Sequence, residues 1–203
     1  MTKARHQQRP PTPRIPMEFD PGVRVRHRLA MQRAIETAAV ALVAQRGFDA
    51  VTAQDIAAEA EMTQRTFFRY CPAKVDAFRF GVHHVHRFVG ALVRDPVDFE
   101  AVTERVLQCL GRMEADPTGE RERLRRVWGL VVSDPALSAA MAARDAEQMV
   151  DLRSVWRCPD PFVVPITLLA LRVSLEIWVS ADDATLGDAF RSACARLRDS
   201  LRP

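Results

Sequence analysis

No two cysteines in this 203-residue sequence stand at the spacing of a metal finger: Cys71, Cys109, Cys158 and Cys194 are scattered, without a CxxC pair. That pattern excludes zinc-finger DNA readers and leaves reduced thiols in a cytoplasmic protein as the expectation. An uninterrupted run of 18 apolar residues is missing, and so is an N-terminal signal pattern, so neither a membrane span nor export is expected. Paired catalytic carboxylates, a nucleophile motif and a glycine-rich phosphate loop are also lacking, which speaks against an enzyme and gives no reason to expect a cofactor. With no strand-like alternation and no internal repeat, the reading that remains is all-α.

What the sequence does have is an uneven charge. Residues 1–80 hold 13 Lys and Arg against 8 Asp and Glu, whereas residues 81–203 hold 16 against 18. A basic end on a near-neutral body is the asymmetry of a nucleic-acid-binding end joined to a regulatory or assembly part. Residues 1–23, with five prolines and no helical period, read as an arm whose Lys3, Arg5, Arg9 and Arg14 either do nothing or follow DNA into the minor groove. A first helix is predicted from Val23 or Arg24 to Gly47, burying Ile35, Ala38, Ala39, Leu42 and Val43. Arg24, Arg26 and Arg28 sit at its start, where the helix dipole disfavours cations; phosphate attraction accounts for them, as does a solvated basic face.

Thr52 to Lys74 then reads as two short helices around a tight turn. Thr52 caps the first, whose apolar side is Ala53, Ile56, Ala57 and Ala60; Thr63 caps the second, whose inner side is Thr66, Phe67 and Tyr70. This is the size of a helix-turn-helix, and equally of an ordinary helical hairpin. As a DNA reader its second helix exposes Gln64, Arg65, Phe68 and Arg69, side chains suited to base edges and thymine methyls. Thr52, Tyr70 and Lys74 are expected on phosphates, with Thr63 and Thr66 beside the reading face. Pro72 is predicted in the first turn of a fourth helix that runs to about Arg94. His83, His84 and His86 on it lack a companion ligand and read as ordinary helix histidines, so no metal is expected.

Gly47-Phe48, Val51-Thr52 followed by Asp55-Ile56-Ala57, and Arg65 to Tyr70 with Pro72 and Lys74 together resemble the TetR family of one-component transcriptional regulators, over roughly residues 24–80. The chain departs from that family's usual residues at Glu61 (Gly), Phe68 (Tyr), Cys71 (Phe) and Ala73 (Ser or Asn). Glu61 falls at a turn where positive φ strains a side chain and adds negative charge near phosphates. The resemblance implies an all-α homodimer of about nine helices: the arm 1–23, a helix-turn-helix head 24–74 and a ligand-binding, dimer-forming body 75–203. It implies a regulator, a repressor by default, on a palindromic double-stranded DNA operator, released by a small lipophilic effector. The alternative is a TetR-fold scaffold whose DNA binding is weakened or lost.

Beyond Asp98, Pro and Gly signals divide the body into helices near 98–114, 120–132, 134–157, 162–179 and 183–201. The fourth of these is apolar nearly all round, so it needs cover on several sides. One subunit can supply that cover; the resemblance implies instead a dimer seam holding Leu168, Leu175, Phe190 and Leu197. It also implies a pocket inside the bundle, with Phe88, Leu107, Met113, Trp128, Met141, Met149, Trp156 and Trp178 as candidate walls and Arg172 as a candidate polar group. Simple core is the plainer account of the apolar ones. Arg172 and Glu176, four apart, suit an ion pair along one helix face.

Overall fold

The computed structural model describes residues 21–81, 98–115, 119–156, 160–181 and 184–200. Among them there are only helices: α1 (Pro21–Arg46), α2 (Ala53–Glu59), α3 (Gln64–Tyr70), a 3₁₀ turn η1 (Lys74–Phe78), α4 (Phe99–Glu114), α5 (Glu120–Ser133), α6 (Pro135–Trp156), α7 (Val163–Ser180) and α8 (Leu186–Ser200). The arm below residue 21, the three histidines, Phe88, the side chain of Trp156, and Cys158 lie outside the described residues.

Local chemistry explains most boundaries. Gly47, at φ 78°, ends α1 in the left-handed conformation that costs glycine nothing. Thr52 and Asp55 cap α2 reciprocally, the Thr52 Oγ1 accepting the Asp55 amide at 3.1 Å and Asp55 Oδ2 accepting the Thr52 amide at 2.8 Å. Asp98 takes the Ala101 amide at 2.8 Å to start α4. Thr185 takes the Asp188 amide at 3.0 Å to start α8, three residues later than the sequence predicts.

The predicted fourth helix does not begin at Pro72. Pro72 and Ala73 form a bend outside any helix, and the chain then turns as 3₁₀ from Lys74, with Asp76 Oδ2 accepting the Ala73 amide at 2.9 Å. The backbone between Cys71 and Ala73 therefore spaces α3 from η1.

α1 packs on α2, η1 and α5; α2 packs on α3; and α7 lies between α8, α5, α4 and α6. One hydrophobic core runs from Ile35 through Phe67, Phe78, Trp128 and Trp178 to Cys194, so it crosses the expected division at residue 74 without a break. All five predicted inward residues of α1 are buried. α7 is long and apolar enough to cross a membrane by length and composition, and here its inner side is covered by four helices.

The seam residues expected from the resemblance need correcting. Leu175 and Phe190 are buried within the single chain, in the α7–α8 contact, and Leu168 and Leu197 pack half-buried against the same core. A helix apolar on every side gives no periodicity from which to choose its outer face. The structure shows that face: Phe162 at the N-cap of α7, then Leu169 and Ile177, are 68%, 48% and 37% exposed.

Head and body are joined by polar contacts that the sequence does not announce. Asp134, which caps α6 by accepting the Ala136 and Leu137 amides at 3.0 Å, also accepts the Phe48 amide at 2.7 Å through its other oxygen. The Leu137, Phe48 and Ala136 amides hold its carboxyl below the usual carboxylate range. Further along α6, Arg144 forks onto buried Asp76 at 2.9 and 3.1 Å. Arg79, fully buried, donates to Asp145 at 2.6 Å. Asp145 in turn lies 3.9 Å from Arg172, which makes the expected contact with Glu176 at 3.1 Å and a second with Ser138 Oγ at 2.8 Å.

Glu61 is the one non-glycine residue at positive φ among those described, at 53°. It follows α2 as the turn residue and donates its amide to Ala58 O at 3.0 Å. Left-handed backbone costs an ordinary residue about 1–2 kcal/mol, and glycine gives back about 0.5–1 kcal/mol in chain entropy. Glu61→Gly should therefore stabilise the protein by about 0.5–1 kcal/mol, a rise in Tm of about 2 °C. Thermal unfolding of the variant beside the parent measures it, and a fall in Tm would mean the side chain makes a compensating contact.

Candidate nucleic-acid interface

α3 has a buried face and an exposed face. Thr63 caps it, Oγ1 accepting the Thr66 amide at 3.1 Å and sharing a hydrogen with Thr66 Oγ1 at 3.0 Å. Phe67 is buried against the core, Thr66 and Tyr70 are half-buried beside it, and Gln64, Arg65, Phe68 and Arg69 are exposed. Four side chains that can read base edges or pack on a methyl thus share one solvent-facing surface, braced from behind by α2.

The Phe68 ring stands edge-on to Phe67, centroids 5.4 Å apart, which fixes its direction. The Arg69 guanidinium lies 5.2 Å from the centre of the Tyr70 ring, so a cation is carried at the C-terminal end of the face. There Arg69 and Tyr70 join Arg24, His27 and Arg28 of α1 around a concavity of about 440 Å³. The cations at the start of α1, unexplained by helix stability, thereby continue the basic surface of α3.

Two of the expected phosphate contacts have intramolecular engagements that the sequence did not show. Lys74 Nζ donates to Phe48 O at 2.7 Å and Val51 O at 2.8 Å, and stands 3.8 Å from the Phe48 ring centre. Burial holds its ammonium below the usual lysine range, opposed by the charges of Asp49 and Asp134. Lys74 is thus a clamp on the α1–α2 loop, with one of its three hydrogens left over. The Thr52 hydroxyl is 2.6 Å from Asp55 Oδ2, so its hydrogen serves the cap.

Cys71 ends α3 and is fully buried, its thiol pushed up to about 12 by burial and then by Asp76. Cys71 therefore packs behind the exposed face of α3.

The residues proposed for an effector pocket are brought together differently. Trp128, Met141 and Trp178 are buried core, and Leu107, Met113 and Met149 pack half-buried against it. Arg172 lies 6.0 Å from the Trp128 ring centre. A separate cleft of about 560 Å³ is lined by α1 and α5.

Residues 35–78, which contain α2, α3 and most of α1's buried half, match the family model of bacterial regulatory proteins, tetR family. No curated protein matches the chain. Among solved structures the chain is similar to Thermus thermophilus FadR, a TetR-family transcriptional repressor in complex with lauroyl-CoA, at 20% identity over 85% of this chain and 95% of that one, TM-score 0.47. It is also similar to a TetR-like transcriptional regulator from Rhodococcus sp. RHA1, at 18% identity over 83% and 96%, TM-score 0.39.

Proposed function

From the match of residues 35–78 to the family model of bacterial regulatory proteins, tetR family, we propose that this chain is a regulator of that family, two copies of which grip a palindromic operator and repress transcription until a small effector releases them. The observation that carries this reading is the exposed row Gln64, Arg65, Phe68 and Arg69 on a capped helix braced by α2. Inserted in the major groove, Gln64 and Arg65 meet base edges, and Phe68 packs on a thymine methyl. Arg69, Tyr70 and the basic start of α1 lie along phosphates, and the spare hydrogen of Lys74 reaches one more.

The outward stripe of α7, Phe162, Leu169 and Ile177, supports the dimer. Buried against its two-fold mate, it joins the heads so that two recognition helices face half-sites about one helical turn, about 34–36 Å, or somewhat more apart. An effector acts only through unequal affinity for the DNA-competent and released arrangements. The bonds that tie η1 and the α1–α2 loop to α6 are the route by which a body movement turns the head.

Mapping protected sites on the DNA adjoining the protein's own gene identifies the operator. On that operator, Gln64→Ala or Arg65→Ala should cost about 1–3 kcal/mol and relax preference at particular base pairs, since one bidentate pair discriminates by that much. Equal losses on every DNA sequence would mean these side chains touch only the backbone.

A further inference from the structure

Lysine is scarce in this chain: Lys3 and Lys74 are the only ones among 29 lysines and arginines. At position 74 the choice matters, because a compact ammonium can serve two carbonyls and keep a hydrogen, whereas the planar guanidinium fork suits a carboxylate or phosphate. Lys74 Nζ donates to Phe48 O at 2.7 Å and to Val51 O at 2.8 Å, which engages two of its hydrogens and aims the third. The direction of that third hydrogen is therefore set by where the α1–α2 loop holds its carbonyls.

That loop starts at a swivel. Gly47, at φ 78°, has no Cβ to restrict it, so backbone sterics alone do not fix the residue that follows. The Phe48 ring is anchored edge-on to Phe78, centroids 6.0 Å apart, and its amide and carbonyl are placed by charged side chains. Asp134, at the junction of α5 and α6, accepts the Phe48 amide at 2.7 Å through Oδ2, and Lys74 takes the carbonyl of the same residue. The Val51 amide reaches that carbonyl too, at 3.3 Å. The other Asp134 oxygen is engaged by the Ala136 and Leu137 amides, so the carboxylate is seated in the first turn of α6 and moves with it.

We propose that Asp134 is a positioning residue for DNA binding, acting through Phe48 to hold Lys74 so that its third hydrogen meets a backbone phosphate. The inference rests on the DNA reading above and adds to it the residue through which the body reaches one phosphate contact. As a bare charge near a polyanion, Asp134 would weaken binding, so the sign of its effect separates positioning from simple repulsion. The start of α6 belongs to the body, and a shift there passes to Lys74 through the two bonds on Phe48.

The test compares Asp134→Ser, Lys74→Met and the double variant, as full chains, on the duplex identified by protection and on an unrelated mixed-sequence duplex, across a salt series, with circular dichroism as the folding control. Serine still caps α6 but is too short to reach Phe48 as well. Asp134→Ser should weaken binding to both duplexes by about tenfold and lower the log–log salt slope by about one, as Lys74→Met does, because each loses the same charged contact to a phosphate. In the Lys74→Met background, Asp134→Ser should change affinity by less than about twofold, since a residue that acts through Lys74 has nothing left to act on. Asp134→Asn, which keeps the shape and the cap and turns a donor towards the Phe48 amide, should behave as Asp134→Ser does and replaces it if the serine variant unfolds. Equal losses in both backgrounds would show a merely structural role, and tighter binding would show a charge effect; either overturns the proposal while the parent still binds DNA. A parent that binds neither duplex at any salt concentration overturns the DNA reading and this inference with it.

Discussion

Replacing Leu169 and Ile177 by glutamate should leave a folded chain that sediments as a monomer and binds the full operator about 10²–10⁴-fold more weakly, because joining two half-site readers makes the second contact intramolecular. The choice of these two positions follows from the faces of α7. Both side chains point away from the α7–α8 core and are among the most exposed large apolar groups of the molecule. Leu175 and Phe190 would be poor probes, since each is buried inside one subunit and a charge there would unfold it. Sedimentation velocity, circular dichroism and operator titration on the double variant give the answer together. A variant that stays dimeric, or a monomer that holds the full site as tightly as the parent, would remove this face from the assembly.

Asp76→Ala is expected to be the most destabilising single change, about 3–5 kcal/mol, as is usual when one partner is removed from a buried pair. Asp76 is buried, takes both arms of the Arg144 fork and also accepts the Ala73 amide. Its loss leaves Arg144 Nε and Nη2 and a backbone N–H without their acceptor at the same joint, with Glu147 still holding Nη1 at 2.6 Å. The corresponding fall in Tm is about 10 °C for a chain of this size. Replacing Asp76 and Arg144 together by apolar residues of similar volume should recover most of the loss, which distinguishes an abandoned charge from a general packing defect. Chemical unfolding of the three variants decides it, and a loss below about 1 kcal/mol for Asp76→Ala would show that water reaches Arg144 readily.

How much of this was legible in the sequence depended on distance along the chain. The caps at Thr52, Thr63 and Asp98 act over three residues, and each was readable because donor and acceptor stand in the same short window. The buried row of α1 and the outer row of α3 followed from period alone. Glu61 was readable as a strained turn only through the resemblance, which places glycine at that position. Illegible were pairs between residues far apart: Lys74 with the carbonyls of Phe48 and Val51, Asp76 with Arg144, Arg79 with Asp145. Charged residues at those positions look like surface charge until the fold brings their partners. The seam of α7 failed for a different reason, since uniform apolarity carries no phase.

The Asp134 carboxylate that joins Phe48 to the first turn of α6 spans 86 residues of chain. Closing a loop of that length carries an entropic cost that local helix formation does not, so the contact comes late in folding. On a growing chain, which emerges from its N-terminus, α1, α2 and α3 can collapse around Phe67 and Ile56 well before residue 134 has been made. The amide of Phe48 must wait without its acceptor until α6 exists, while Lys74 already holds the carbonyls of Phe48 and Val51. The nascent head is therefore a core that can form early, and the last bond of its α1–α2 loop to close is the one that α6 supplies.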